Sequence, residues 1–148
     1  MFKRILVTLD GSDFSERALE PAFHIAQKFT AEILLLRVLS PETVAAAAGA
    51  GPQYIELADL HEQRDRTEAE AYLRALKRLW EPTEVVVTTR VAMGAPPEQI
   101  LCAAAESGAD LIVMSTHGRS GISRFLYGSV AEAVLRGTQL PLLLIPVK

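Results

Sequence analysis

The sequence predicts a doubly wound α/β fold, in which one five-stranded parallel sheet carries helices on both faces. Three observations support this. The length of 148 residues fits one domain. Segments typical of strands alternate with segments typical of helices, and the predicted strands are apolar along their whole length, as in a sheet that is covered on both sides. Because crossovers are right-handed, residues 1–148 are expected to form a single doubly wound domain.

Composition excludes several other classes of protein. Hydrophobic residues make up 49% of the chain and charged residues 22%, which argues against disorder. The net charge of −3, without a basic face, argues against DNA or RNA as a partner. The apolar run that follows Met1 is too short for a signal peptide or a membrane span, so we expect a cytoplasmic location and no membrane partner. The single cysteine, Cys102, lies in an apolar helical stretch and is expected in the core.

The first half of the chain contains two predicted strands and two predicted helices. Apolar residues three and four positions apart predict the first helix, and Asp13 with Glu16 resembles a capping pair at its start. Proline and glycine punctuation predicts a loop before the second helix. The predicted elements are strand Ile5–Leu9, helix Ser15–Phe29, strand Ala31–Val38, loop Ser40–Gln53 and helix Ile55–Trp80.

The second half contains three predicted strands and two predicted helices. Two prolines suit the first turn of one helix, and glycine ends each helix. The predicted elements are strand Glu84–Val91, a helix from 94–98 to Gly108, strand Asp110–Ser115, a glycine-punctuated loop Gly118–Gly128, helix Ser129–Arg136 and strand Leu142–Ile145.

Topology predicts where a ligand binds. In an open parallel sheet the ligand lies at the carboxyl ends of the strands, where the winding reverses. With the strand order 3-2-1-4-5, the reversal lies between strands one and four. The segments 10–12 and 115–118 then flank one crevice, and they are the most polar strand ends in the chain.

The start of the last helix is the second candidate feature. Ser129 followed by Glu132 has capping-box spacing, so a helix is expected to begin at Gly128-Ser129. Its amides attract phosphate, and Gly128 has no side chain to block the approach. The Ser129 hydroxyl, Arg119 and Arg124 would add contacts to phosphate. The alternative is that the glycines only form turns and Ser129 only caps its helix; the position at the switch point favours the ligand.

These segments resemble the universal stress protein family. Residues 114–118, then nine residues and Gly128-Ser129, resemble its nucleotide loop. Residues 5–12 look like its first strand and acidic turn, 91–96 like its segment entering the third helix, and 141–146 like its last strand. The resemblance covers essentially the whole chain.

The resemblance implies a flavodoxin-like, Rossmann-like fold and, for the ATP-binding branch, one bound ATP, with ADP or AMP left open. Strands one, two and four would contact adenosine, with strand two offering backbone groups to adenine, and the loop and last helix would hold ribose and phosphates. The residues so implied are Thr8, Asp10, Val38, Met114, Ser115, Gly118, Arg119, Gly128, Ser129 and Val130. Ser115 departs from the pattern, because the family loop begins there with glycine.

Asp10 has two interpretations. It binds the ribose or a nucleotide-bound Mg²⁺, or it satisfies the amides of its own turn. We favour contact with the ligand.

Catalytic patterns are missing, which favours a nucleotide-dependent switch or sensor over an enzyme. The chain has no P-loop, no nucleophile elbow and no kinase motifs, and we predict no catalytic residues. The alternatives are a slow ATPase or self-phosphorylating protein, and a structural or chaperone-like family member that binds no nucleotide. No motif indicates the protein partner.

The last strand is expected to lie at a sheet edge, and natural proteins cover or pair such edges. The resemblance implies a homodimer that pairs through Leu142–Val147.

Overall fold

The computed structural model describes residues 1–40, 53–116 and 128–146, and the side chains of 53–58 are not included in the description. The predicted site residues Gly118 and Arg119, the last residue of the predicted dimer strand, Val147, and most of the predicted loop Ser40–Gln53 lie outside these ranges. The described strands and helices are β1 Arg4–Leu9, α1 Asp13–Glu16, α2 Leu19–Phe29, β2 Glu32–Leu39, α3 Gln53–Trp80, β3 Val87–Met93, α4 Pro96–Ser107, β4 Leu111–Ser115, α5 Ser129–Gly137 and β5 Leu142–Ile145.

The five strands form one parallel sheet in the order β3-β2-β1-β4-β5. This confirms the predicted topology. Strand β1 pairs with β2 on one side and with β4 on the other, so the winding reverses between β1 and β4. A crevice is therefore expected at the carboxyl ends of these strands.

Both faces of the sheet are covered by helices. In β1, Ile5 and Val7 pack on the side of α2 and α3, whereas Leu6 packs on the side of α4 and α5, and all three are fully buried. The same alternation continues through β2 and β4, which explains why the central strands read as continuous apolar runs. No helix in the described ranges is long and apolar enough to cross a membrane.

The predicted helix Ser15–Phe29 is two helices, and its predicted cap is wrong. Ser12, not Asp13, is the N-cap of α1, because its hydroxyl oxygen accepts a hydrogen bond from the amide of Ser15 at 3.2 Å. The four-residue helix α1 ends before Arg17, and α2 begins at Leu19. Periodicity alone did not reveal this break, because apolar spacing continues across it.

Strand β3 lies further along the chain than the predicted strand Glu84–Val91. A short 3-10 turn covers Glu81–Thr83, and Glu84 closes it with a left-handed backbone (φ 60°). Pairing with β2 therefore begins at Val87, opposite Ile33.

Cys102 is exposed, so its prediction as a core residue is wrong. The buried face of α4 is formed by Ile100, Ala103 and Ala104. Cys102 lies off this face, and its thiol donates to Glu106 Oε1 at 3.3 Å. Only a narrow face of α4 is buried, and the apolar composition of the segment did not reveal that Cys102 lies outside this face.

The amino end of the sheet is closed by a paired polar network. The Asp110 carboxylate accepts from the backbone amides of Lys3 (2.7 Å) and Arg4 (3.3 Å). The Arg4 guanidinium pairs with Glu32 at 2.6 Å and donates to the carbonyl of Ser107. This network ties β1, β2 and the start of β4 together.

Candidate functional site

A cleft of about 270 Å³ opens at the carboxyl ends of β1, β2 and β4, which is where the winding reverses. This volume is close to the lower limit of small-molecule sites, roughly 300 Å³. The structure brings eight of the ten predicted site residues to this one cleft; Gly118 and Arg119 lie outside the described residues. The eight are Thr8, Asp10, Val38, Met114, Ser115, Gly128, Ser129 and Val130.

Sequence reasoning missed a second set of lining residues. They come from the ends of β1 and β2 and from the first turns of α1, α4 and α5, and they are Leu9, Ser15, Leu36, Pro96, Ile100 and Ala131. Thr116, which belongs to the predicted flanking segment 115–118, also lines the cleft. One usable signal was present: Pro96 and Ile100 are four apart on the first turns of α4, so they share a helix face. Their position over the cleft depends on how α4 packs on the sheet.

The turn between β1 and α1 forms one wall. Asp10 Oδ1 accepts from the Ser12 amide (2.9 Å) and from the Ser12 hydroxyl (2.5 Å). The Ser15 hydroxyl donates to the Ser12 carbonyl (2.8 Å) and accepts from the Asp10 amide (3.2 Å). Gly11 has φ 84°, a left-handed conformation that favours glycine. Asp10 therefore does satisfy its own turn, and it also lines the cleft.

The start of α5 forms the opposite wall. Gly128 is the N-cap, and its amide donates to the Thr116 carbonyl at 2.5 Å. The first amides of a helix have no acceptor within the helix. Within the described ranges, the amides of Ser129, Val130 and Ala131 have no acceptor elsewhere either. Three donors are therefore available at this wall of the cleft.

The helix begins where the sequence predicted, but the predicted capping box is absent. Gly128 occupies the N-cap position, so the Ser129 hydroxyl does not cap the helix. The Glu132 carboxylate instead pairs with Arg136 at 2.7 Å. The spacing of Ser129 and Glu132 predicted the correct helix start, but the capping box on which that prediction depended does not form.

The interior wall of the cleft is apolar. Leu36, Ile100 and Met114 are at most 4% exposed, and Val38 is half-buried beside them. The hydroxyl-bearing residue Thr8 is nearly buried at the same wall. The arrangement suits a ligand that has a flat apolar part and an anionic part, since one region offers aliphatic carbon and the other offers amides and helix-dipole charge.

Comparison with known proteins assigns the family. A model of the universal stress protein family matches residues 1–146, and the chain belongs to that family. The universal stress protein MJ0531 of Methanocaldococcus jannaschii is 34% identical over 98% of this chain and 82% of its own length.

Solved structures show the same fold. The structure of MJ0577 from the same archaeon superimposes with a TM-score of 0.80 at 27% identity, covering 100% of this chain and 98% of that one. A universal stress protein crystallised in complex with cAMP superimposes with a TM-score of 0.71 at 25% identity, covering 99% of this chain and 98% of that one.

Proposed function

We propose that this cleft binds an adenine nucleotide, ATP in the first place, and that the protein acts as a nucleotide-dependent switch or sensor. One observation carries the proposal: three helix amides without acceptors among the described residues belong to residues that line the same cleft as a buried apolar wall. A similar family member forms a complex with cAMP, which also contains adenine, ribose and phosphate.

The phosphates are assigned to the start of α5. Backbone amides and the positive end of the helix dipole attract an anion there. The backbone of Gly128 (φ −66°, ψ 157°) is one that any residue adopts, so its conformation does not require glycine. The missing side chain instead leaves the amides accessible to phosphate. Gly118 and Arg119 are proposed to complete this end of the site.

The adenine is assigned to the end of β2. The amide of Glu32 donates to the carbonyl of Lys3, the residue just before β1, so every second residue of β2 points its backbone groups toward β1. Val38 belongs to this set, but the pairing of β1 ends at Leu9 opposite Arg37. The Val38 carbonyl therefore lies beyond the last strand pair, beside the cleft, where it can accept from an adenine amino group.

Asp10 is assigned to the ribose or to Mg²⁺ on the phosphates. Mg²⁺ is commonly held by one or two carboxylates together with substrate phosphates and water. The described ranges contain no cluster of three metal-ligating side chains. The single carboxylate of Asp10 therefore fits a nucleotide-bound metal and does not fit a site made of protein ligands alone.

Calorimetric titration with ATP, with and without Mg²⁺, tests the proposal. We expect heat and a thermal shift that Gly128→Val removes, because its side chain would block phosphate. The matched control is Ala95→Val, the exposed N-cap of α4, which has an extended backbone (φ −67°, ψ 123°) and does not line the cleft. Absence of both signals at millimolar ATP would contradict the proposal and favour a structural or chaperone-like role without nucleotide.

A slow ATPase or self-phosphorylating protein is the second candidate, and Ser129 favours it. Its hydroxyl belongs to a residue at the cleft and is not used as a cap. Incubation with γ-labelled ATP distinguishes the candidates. Label retained on wild type and lost in Ser129→Ala would promote phosphoryl transfer, whereas bound nucleotide without turnover supports the switch.

A homodimer that pairs through β5 is part of the proposal. The carbonyl of Pro141 accepts from Ile112 in β4 and that of Ile145 accepts from Thr116 just after β4, both at 3.0 Å. The alternate residues Leu142 and Leu144 therefore point their backbone groups to the open edge. We expect a sedimentation mass near twice 16.1 kDa. Leu144→Pro would remove an outward donor while keeping the bonds to β4, and should give monomer. Leu144→Ala, which keeps the amide, should stay dimeric. If both variants were monomeric, or if both were dimeric, pairing at this edge would be contradicted.

A further inference from the structure

Three side chains, those of Tyr72, Glu16 and Arg37, meet near the β1–α1 turn. They lie on the face of the sheet that α2 and α3 cover, and α4 and α5 cover the other face. The Tyr72 hydroxyl on α3 donates to Glu16 Oε1 on α1 at 2.9 Å. The guanidinium carbon of Arg37, at the end of β2, lies 5.1 Å from the centroid of the Tyr72 ring. A cation over an aromatic face is attracted by the ring. One contact chain therefore joins β2, α3 and α1.

Arg37 also lies against the backbone of this turn. A Cβ added to Gly11 would be 3.0 Å from the guanidinium carbon of Arg37, closer than ordinary packing allows. Because Gly11 has no side chain, it can adopt the left-handed conformation of the turn and also leave room for the guanidinium of Arg37. Because Asp10 precedes Gly11 directly and lines the cleft, the guanidinium of Arg37 lies beside the backbone next to a cleft residue.

The phenol of Tyr72 is a permanent donor in this arrangement. Burial, and then the hydrogen bond and negative charge of Glu16, raise the pKa of Tyr72, against weaker opposing effects of Ser15 and Arg37. The hydroxyl keeps its proton throughout the neutral range, so the bond to Glu16 does not depend on pH there. Ser15, beside Glu16, bonds both Asp10 and Ser12, which connects Tyr72 to the turn by a second route.

We infer that Arg37 and Tyr72 are positioning residues for the nucleotide cleft: they hold the β1–α1 turn, and with it Asp10, in place. The inference rests on the proposed function. Through these contacts the packing of α3 is thermodynamically coupled to the affinity for nucleotide. A partner that shifts α3 would therefore change nucleotide binding, and bound nucleotide would change the affinity for that partner.

The test is ATP affinity in Tyr72→Phe, which keeps the ring and removes the hydroxyl. We expect binding about five- to tenfold weaker, the effect of one ordinary hydrogen bond, because Tyr72 acts on the nucleotide only through the turn. Trp80→Phe is the control on the same helix, about 12 Å further along. Trp80 stacks on Phe23, and its indole nitrogen has no hydrogen-bond partner within the described ranges. This control loses packing alone, and its ATP affinity should stay within about twofold.

Two further measurements separate positioning from a general loss of stability. The amide of Ser12 donates to Asp10, so its hydrogen exchange without nucleotide reports on the turn. It should exchange at least about fivefold faster in Tyr72→Phe and unchanged in Trp80→Phe. In an Asp10→Ala background, Tyr72→Phe should weaken ATP binding by less than about twofold, because both changes act through the same carboxylate.

Arg37 provides an independent variant if Tyr72→Phe folds poorly. Arg37→Met should weaken ATP binding like Tyr72→Phe, and Arg37→Lys, which keeps a cation over the ring, should recover part of the loss. Equal ATP affinity in wild type, Tyr72→Phe and Arg37→Met would overturn the inference alone, as would additive losses with Asp10→Ala. A wild-type protein that binds no ATP would overturn the proposed function first and this inference with it.

Discussion

The two ends of the parallel sheet differ in how far their polar groups are paired by hydrogen bonds. At the amino end, Asp110 accepts from two backbone amides and Arg4 pairs with Glu32, so these polar groups bind one another. At the carboxyl end, the amides of the cleft residues Ser129, Val130 and Ala131 have no acceptor among the described residues. Paired groups add stability, whereas donors left open keep their capacity for a ligand.

This asymmetry follows from the winding. Each helix that connects two parallel strands runs back against them, so the helices α4 and α5 begin at the carboxyl end of the sheet. Helix starts present amides and partial positive charge. The carboxyl end therefore attracts anions. At the amino end, the Arg4 guanidinium donates to the carbonyl of Ser107, the last residue of α4.

Gly128→Asp should produce the largest effect and break the comparison at the carboxyl end. An Asp side chain at the N-cap accepts from the amides that phosphate would use, and its charge repels phosphate. We expect ATP affinity to fall by about 100-fold or more, roughly 2.7 kcal/mol. The free energy of unfolding should rise by a few tenths of a kcal/mol.

Calorimetry and urea denaturation measure both quantities. Gly128→Asn caps without charge and separates competition for amides from repulsion. A stabilised Gly128→Asp protein that still binds ATP normally would show that the phosphates lie elsewhere.

Asp110→Ala, at the amino end, should lower the stability of the protein and leave its ATP affinity almost unchanged. The amides of Lys3 and Arg4 would lose their acceptor, and the free energy of unfolding should fall by about 2 kcal/mol. Because this end lies away from the cleft, ATP affinity should stay within about twofold. Urea denaturation and calorimetry test the pair of expectations, and a large loss of affinity would mean that the two ends are coupled.

Alkaline pH should lower the stability of the protein through Tyr72, which lies near the carboxyl end of the sheet. Its pKa is raised in the folded protein by burial and by Glu16, so the unfolded chain releases the phenol proton first, at roughly pH 10. The contribution of Tyr72 is complete below that pH and is lost as pH rises above it. The urea midpoint should therefore fall from pH 9 to 11 more steeply in wild type than in Tyr72→Phe. Parallel curves would exclude Tyr72 as the source.

Glu32→Gln should give the smallest effect. The Arg4–Glu32 pair is close, at 2.6 Å, but the two side chains are 43% and 45% exposed. Water screens such a pair, and we expect a loss of about 0.5 kcal/mol that shrinks with added salt. A loss as large as that of Asp110→Ala would show that the ion pair, not the carboxylate–amide contacts, closes the amino end.

Much of the fold was predictable because its signals are local. The apolar run at Ile5–Leu9 located a strand from its immediate neighbours, and the spacing of Ser129 and Glu132 located a helix start, although Gly128 and not Ser129 is the cap. The errors in element bounds arose where Ser12 competed with Asp13 as a cap and where the left-handed Glu84 delayed β3. A separate error concerned Cys102, which lies off the buried face of α4. Local sequence did not show which residue would make the cap hydrogen bond or which face of the helix would be buried.

The sequence by itself determined the alternation of strands and helices and the polar strand ends, because those depend on periodicity and turn chemistry along the chain. The eight predicted residues that line one cleft came from the resemblance of the sequence to the universal stress protein family. Only the tertiary structure brought Arg37, Tyr72 and Gly11 together and placed Pro96 and Ile100 over the cleft. These residues are far apart in sequence, and their contacts arise from how helices pack on a twisted sheet. No local pattern encodes that packing, so the support behind the cleft became visible only in three dimensions.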